Sequence, residues 1–452
     1  MKTIDTVGAA NWGATVESAD VQTQQWKRAV WTAFFGFFID FFDLYLPIIV
    51  LAPAYVYFKP ADLNSPILES FVFASALLGR PLGALVFGYW SDRVGRKRIS
   101  MIAMAGSAAT VFLTALLPGY ESVGLLSISL LVALRFLTGF FVGGQYTGAV
   151  TLAMEACPGH RRGYYAALVT SSGNLSFVVM ALIGMAVLQF FPSGGIDAPY
   201  TQIGWRIPFI AGAIMAVIFL SYIRRHLQES EVWLHSEKKG SPLASLFSSV
   251  RLGGDLFQGF LLMIGLWLIY FVPAAILPPV LRVAVKLSPF QVTQALLVGS
   301  VVAVFGFLVG GITSDRIGRR AAFIWFGIAS ATIGTLLTYV VVQMPNSGLW
   351  SLFICFAAMF GIVGLVWGSG PHSYLNERFH TGSRSSGYGI VFSFSVILPS
   401  FYGIYQTWLG KWMLPIYTPA ALLFIGSLIV ILAAAWGPET KSLKYIDDRA
   451  KH

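Results

Sequence analysis

Gly88-Tyr89-Trp90-Ser91-Asp92-Arg93-Val94-Gly95-Arg96-Lys97-Arg98 and Gly310-Gly311-Ile312-Thr313-Ser314-Asp315-Arg316-Ile317-Gly318-Arg319-Arg320 are two copies of one pattern, an Asp-Arg-x-Gly-Arg core trailed by further cations. Setting Asp92 on Asp315 gives an offset of 223 residues, close to half of the 452-residue chain. Each copy sits between two apolar stretches of membrane-spanning length, Ser70 to Trp90 and Ile99 to Leu117 around the first, Pro289 to Thr313 and Ala321 to Met344 around the second. A charged loop repeated between apolar helices marks an internal duplication of a helical membrane unit, with a site expected where the halves meet.

Composition agrees. AVILMFWYC residues make up 56% of the chain and DEKR residues 11%, too few charges to cover a soluble fold of this size. Working outward from the two loops gives twelve candidate spans, from Trp31-Val56 to Pro415-Trp436. The predicted organisation is an all-α membrane protein with twelve transmembrane helices in two pseudo-symmetric six-helix bundles. It divides into a cytoplasmic tail (1-30), an N-terminal bundle (31-223), a cytoplasmic central loop (224-254), a C-terminal bundle (255-436) and a cytoplasmic tail (437-452). With the amino terminus inside, 23 of the 30 Lys and Arg residues fall on the cytoplasmic side, four outside and three in or beside spans. That bias predicts a multi-pass protein of the cell membrane with both termini cytoplasmic. It also explains the net charge of +10 without nucleic acid. Cys157 and Cys355 lie far apart and suggest neither a disulfide nor a zinc site. No phosphate-binding G-x-x-x-x-G-K-[ST], H-E-x-x-H or G-x-S-x-G occurs, which argues against ATP as driver, a metal centre, a cofactor or an enzyme.

Charge inside the spans carries the chemistry. A charged residue at a helix centre costs about 2.5 to 3.5 kcal/mol on insertion scales, so those present need a reason. Asp40, Asp43, Arg80 and Arg135 all lie roughly 14 to 18 Å into their spans, and their charges cancel. Asp40 and Asp43, spaced i, i+3, share a helix face and are the candidates for proton coupling. Arg135 and Arg80 are candidates to receive a carboxylate, with Gln145 and Tyr146 as hydrogen-bonding neighbours. The competing reading is a permanently paired structural network. Asn174, Trp367, His372 and Tyr388 are weaker solute-contact candidates, while Gly139, Gly143, Gly144 and Gly148 suit close helix packing. In the loops, Gly88, Asp92, Arg93, Gly95, Arg96 and Lys97, with Asp315, Arg316, Gly318 and Arg319, form a predicted gate. There an Asp at one helix end lies beside the start of the next helix; the alternative is simple retention of cations inside.

These stretches resemble the major facilitator superfamily, whose loop signature the motif matches, and within it the metabolite:proton symporter branch. The resemblance rests also on Gly36-Phe-Phe-Ile-Asp40-Phe-Phe-Asp43-Leu-Tyr45, Arg80-Pro81-Leu-Gly83, Arg135-Phe-Leu-Thr-Gly139-Phe-Phe-Val-Gly143-Gly144-Gln145, Arg162-Gly163 and Gly204-Trp205-Arg206-Ile207-Pro208-Phe209. Gln145 stands where that branch commonly has Glu. The resemblance implies a secondary transporter with alternating access that needs no oligomer and takes a small-molecule substrate and protons as partners within the lipid bilayer. The expected function is proton-coupled import of a small organic anion, a carboxylate metabolite. Proton symport of a zwitterion or sugar is the alternative, and drug/proton antiport a third.

Overall fold

In the computed structural model of this chain, residues 7–60, 66–229, 234, 250–344, 348–379 and 381–441 are described. Much of the central loop and the end of the C-terminal tail lie outside them. Eleven helical stretches among the described residues are long and apolar enough to cross a membrane, and a further helix, Pro66–Val94, carries Arg80. In chain order they are α1 (Gln24–Leu51), α2 (Pro66–Val94), α3 (Arg96–Ala115), α4 (Leu126–Ala156), α5 (Gly159–Phe190) and α6 (Tyr200–His226). The second half holds α7 (Gly253–Val283), α8 (Phe290–Ile317), α9 (Arg319–Gln343), α10 (Leu349–Arg378), α11 (Arg384–Leu409) and α12 (Pro415–Trp436). Within the segment expected as an amino-terminal tail, helix runs unbroken from Val7 into α1, in a stretch without proline.

Large apolar side chains such as Phe305, Ile354 and Leu432 face outward, the arrangement of a protein whose surroundings are lipid. Inside each half, small residues set the helix spacing. A methyl at Gly83 or Gly139 would fall 1.8 Å from the carbonyl oxygen of Phe140 or Ala76, so α2 and α4 touch backbone to backbone. The same contact recurs between α8 and α10, where a methyl at Gly306 would lie 2.4 Å from the Gly361 oxygen. Lipid offers helices no hydrophobic drive to associate, and such close approach supplies the packing instead.

Across the halves, α2 lies against α11 and α5 against α8. These two contacts correspond to one another under the duplication. They run to the end of the bundle that carries the two Asp-Arg-x-Gly-Arg loops, called here the basic end.

Candidate functional site

Three groups of residues concern function: a charge cluster within the first half, an aromatic seam between the halves, and a polar latch at the basic end.

The charge cluster begins with a proline. Asp43 would pass its carbonyl to the backbone N–H four residues on, but that residue is Pro47, which has none. The orphaned carbonyl accepts from Arg135 Nη2 at 3.0 Å, and the Asp43 carboxylate accepts from the same guanidinium at 2.7 and 2.9 Å. Both residues are buried. Arg135 thus grips α1 by side chain and backbone together, a bidentate pair in low dielectric that satisfies the buried charge. Asp40 lies one turn earlier, 1% exposed, and neither of its carboxylate oxygens finds a hydrogen-bond donor among the described residues. The charges acting on it are those of Arg80 and Asp43. Gln145 is buried with both polar atoms unpartnered among the described residues, and the backbone of Gly36 lets α1 approach it. The side chain of Tyr146 lies outside the described residues. The structure therefore brings Asp43 to Arg135 and places Asp40 within the field of Arg80.

The opposite face of α1 makes the seam. Phe37, at 5.2 Å between ring centres, packs edge-on against His372 of α10, and Tyr45 Oη lies 2.6 Å from Tyr270 Oη of α7. Tyr270 donates to Asn174 Oδ1 of α5 at 3.0 Å. Behind them stand Trp267 and Trp367, their rings 4.9 Å apart and tilted 69°. Sequence reasoning weighs Asn174, Trp367, His372 and Tyr388 singly and misses Tyr45, Tyr270 and Trp267. The available signal is helical spacing: Phe37, Phe41 and Tyr45 repeat every four residues on the face away from Gly36, Asp40 and Asp43.

The latch holds the local pairs of the expected gate and adds partners from the other half. Asp92 pairs with Arg96 at the start of the helix that follows (3.7 Å), as the loop pattern leads one to expect, and also reaches into the other half. It accepts from Ser385 N–H, and from the N–H and hydroxyl of Ser386, all at the start of α11 in the other half. Asp315 likewise pairs with Arg319 at the start of α9 (2.8 Å) and accepts from Gly163 and Tyr164 N–H at the start of α5. Between each Asp and the next helix stands a glycine of positive φ, Gly95 (119°) and Gly318 (100°), a backbone conformation that a side chain would strain. The starts of α3 and α9 are held also by Glu229, accepting from Arg96 and Lys97 N–H, and by Glu439, accepting from Arg319 and Arg320 N–H. Two buried glutamates complete the network. Glu155 receives Arg96 (3.1 Å) from its own half and Arg384 (2.8 Å) across the seam; Glu377 receives Arg319 (3.5 Å) and Arg162 (3.0 Å) in mirrored fashion. Arg93 and Arg316 are exposed and outside this latch; Arg93 stacks over Tyr89, and the Arg316 carbonyl accepts from Lys441. Arg93 and Arg316 sit on the outward face because Asp92 and Asp315, one residue earlier, occupy the inward one. Glu155, Glu377, Glu229 and Glu439 escape the sequence reading, since single glutamates far apart carry no local pattern.

Gly318→Ala tests the turn. A methyl there would meet the Glu439 carboxylate at 2.3 Å besides forcing positive φ on an L residue, a cost of about 1 to 2 kcal/mol from the backbone alone. The expected result is a thermal midpoint several degrees lower in detergent, with Gly253→Ala, where nothing lies within 4 Å, unchanged.

The profile of the Major Facilitator Superfamily matches residues 33–404. The chain belongs to the Major Facilitator Superfamily. It is accordingly a multi-pass membrane transporter and not an enzyme, with two pseudo-symmetric six-helix halves. A "Putative metabolite transport protein" of Haemophilus influenzae is 29% identical over 392 residues, covering 82% of this chain and 85% of that one. A "Putative proline/betaine transporter" of Staphylococcus haemolyticus is 30% identical over 431 residues, covering 92% and 88%. Among solved structures of the superfamily, the proton:xylose symporter XylE bound to 6-bromo-6-deoxy-D-glucose superposes with a TM-score of 0.76 at 18% identity, over 95% of this chain and 99% of that one. The score is 0.65 for a partially occluded inward-open conformation of XylE from E. coli. Among the described residues no group of His, Cys, Asp or Glu could hold a metal ion.

Proposed function

We propose that this chain is a proton-coupled symporter of the cell membrane that imports a small carboxylate-bearing metabolite by alternating access. The observation that carries this reading is the buried Asp43–Arg135 pair, set in α1 directly behind the seam. Taking a proton neutralises Asp43 and leaves Arg135 holding α1 only through neutral acceptors, the backbone carbonyl and the protonated carboxyl. The ion pair between α1 and α4 is then lost and their tie weakened, and the guanidinium is free to meet an anion or to let α1 move. Loss of the proton restores the pair. Asp40, without a donor of its own among the described residues, and Arg80 form the companion pair of charges that tunes this exchange. The excess of Lys and Arg at the basic end supports placing that end, and both termini, in the cytoplasm.

A zwitterionic solute is the second reading, favoured by the rings of Phe37, Trp267, Tyr270 and Trp367 at the seam, since aromatic faces attract a quaternary or primary ammonium. The printed name of the Staphylococcus relative points the same way.

Purified protein in liposomes with an inward proton gradient, offered lactate, succinate, citrate, L-proline, glycine betaine and xylose, tests both. The expected result is gradient-dependent accumulation of lactate, succinate or citrate that a protonophore abolishes, whereas accumulation of L-proline or glycine betaine instead would favour the second reading. Accumulation indifferent to the gradient would overturn the proton assignment, and preference for xylose the solute class.

A further inference from the structure

The helix of α10 is interrupted where it meets the first half. It ends at Gly368, and it restarts at Pro371 after Gly370, which holds φ +89°. A methyl on Gly370 would come within 3.6 Å of the Gly163 Cα, so the break rests against α5 of the opposite half. His372 is the second residue of the restarted helix, and it is fully buried. Its ring is framed by Phe37 of α1 and Phe392 of α11, each 5.2 Å away between ring centres. Its Nδ1 lies 2.8 Å from Tyr388 Oη, whereas Nε2 has no hydrogen-bond partner among the described residues. A buried imidazole nitrogen left unmet, on an interrupted membrane helix and facing the other half, is placed where a solute's polar group would satisfy it.

Tyr388 sets what that group must be. A phenol hydroxyl is the better donor of the pair and an imidazole nitrogen the better acceptor, so Tyr388 donates to Nδ1 and the ring hydrogen resides on Nε2. Nε2 is then a donor, and its complement is an acceptor oxygen, of which a carboxylate oxygen, carrying charge, is the strongest.

We propose that His372, oriented by Tyr388 at the break in α10, is a solute-recognition residue whose Nε2–H donates directly to the carboxylate of the transported molecule. This assignment rests on the proposed transport of a carboxylate-bearing solute and adds the residue that reads the carboxylate. It leaves Asp43 and Arg135 to the proton and His372 to discrimination. The two halves contribute unequally, coupling from one and recognition from the other.

The test uses the full chain in liposomes with L-proline, glycine betaine, lactate and succinate as probes, each compared with its amide. Wild-type protein is expected to prefer the acid to the amide by about tenfold or more in KM. His372→Phe keeps the ring packing against Phe37 and removes the donor, so KM for the acid should rise about tenfold with maximal rate within about threefold, and the preference should collapse. His372→Gln, whose amide nitrogen reaches the position of Nε2, should recover most of the preference. Tyr388→Phe, which removes only the orienting hydroxyl, should raise KM less, and it serves where His372→Phe does not fold. An undiminished preference for the acid in the folded variants would overturn the assignment, as would a wild-type protein that takes acid and amide alike. A KM effect that persists while uptake ignores the proton gradient would support His372 and strike the coupling reading alone.

Discussion

Asp43→Asn is expected to abolish gradient-driven accumulation while leaving solute exchange across the membrane in place. One proton moving through about two pH units supplies about 2.7 kcal/mol, enough for roughly hundredfold accumulation, and all of it should vanish when the titrating group is gone. Exchange between labelled and unlabelled solute at equal pH needs no net proton movement, so it should persist within about tenfold of wild type. The substitution is not silent structurally. The introduced amide still offers Arg135 an accepting oxygen, and the backbone carbonyl freed by Pro47 still accepts as well. The positive charge nevertheless loses its buried counter-ion, and breaking such a pair costs about 3 to 5 kcal/mol. The thermal midpoint of Asp43→Asn should therefore fall, and Asp43→Asn combined with Arg135→Gln should recover stability without recovering coupling. Accumulation retained in Asp43→Asn would end the reading of this pair as the proton site, and a double variant that regains coupling would do the same.

Glu377→Gln should open the basic end, and the protein carries its own reporter. Glu377 accepts from Arg162 across the seam, from Arg319 in its own half and from the Thr440 hydroxyl. Charge-assisted bonds of this kind are each worth about 1.5 to 3 kcal/mol, so losing the charge shifts the closed-to-open balance by about ten- to hundredfold. Cys157 lies beside Arg162, buried, its thiol pushed up to about 11 by burial. At pH 8 about one thiol in a thousand is ionised, and a maleimide reaches few of those. Opening the latch hydrates the thiol and returns its pKa toward the ordinary cysteine value, which raises the thiolate fraction at that pH. In a Cys355→Ser background, labelling of Cys157 should then be at least about tenfold faster in Glu377→Gln than in the parent. A rate within about twofold of the parent would show that Glu377 does not hold the end closed. Glu155→Gln, its counterpart under the duplication, should behave alike, because Arg96 and Arg384 converge on it in the same manner.

How the charges are used is legible only in part. Asp43 and Arg135 can be paired from sequence because four intramembrane charges at one depth must find each other in oil, and the structure places that pair at 2.7 Å. The backbone grip on Asp43 is readable in principle, since Pro47 stands four residues on, but which donor takes the orphaned carbonyl is not. The latch shows the reverse. The Asp-Arg-x-Gly-Arg loops are conspicuous, yet reading them alone finds only the partners that follow in the chain, Arg96 and Arg319, and misses the helices of the other half. A linear pattern reports its neighbours in the chain, and the cross-half partners of Asp92 and Asp315 lie 294 and 152 residues away.

The amino-acid order by itself determined the membrane class, the twelve-helix count, the duplication and the uneven distribution of charge, because each follows from local solvation: apolar length against bilayer thickness, and cations against the membrane field. Only the tertiary structure decided that Asp40 and Asp43 face into the first half while Phe37 and Tyr45 face the second, that Glu155 and Glu377 each gather two arginines, and that His372 meets Phe37 at the seam. Those facts depend on the rotation of one helix about its axis relative to another. Backbone contact between small residues fixes that rotation, and no stretch of sequence encodes it alone.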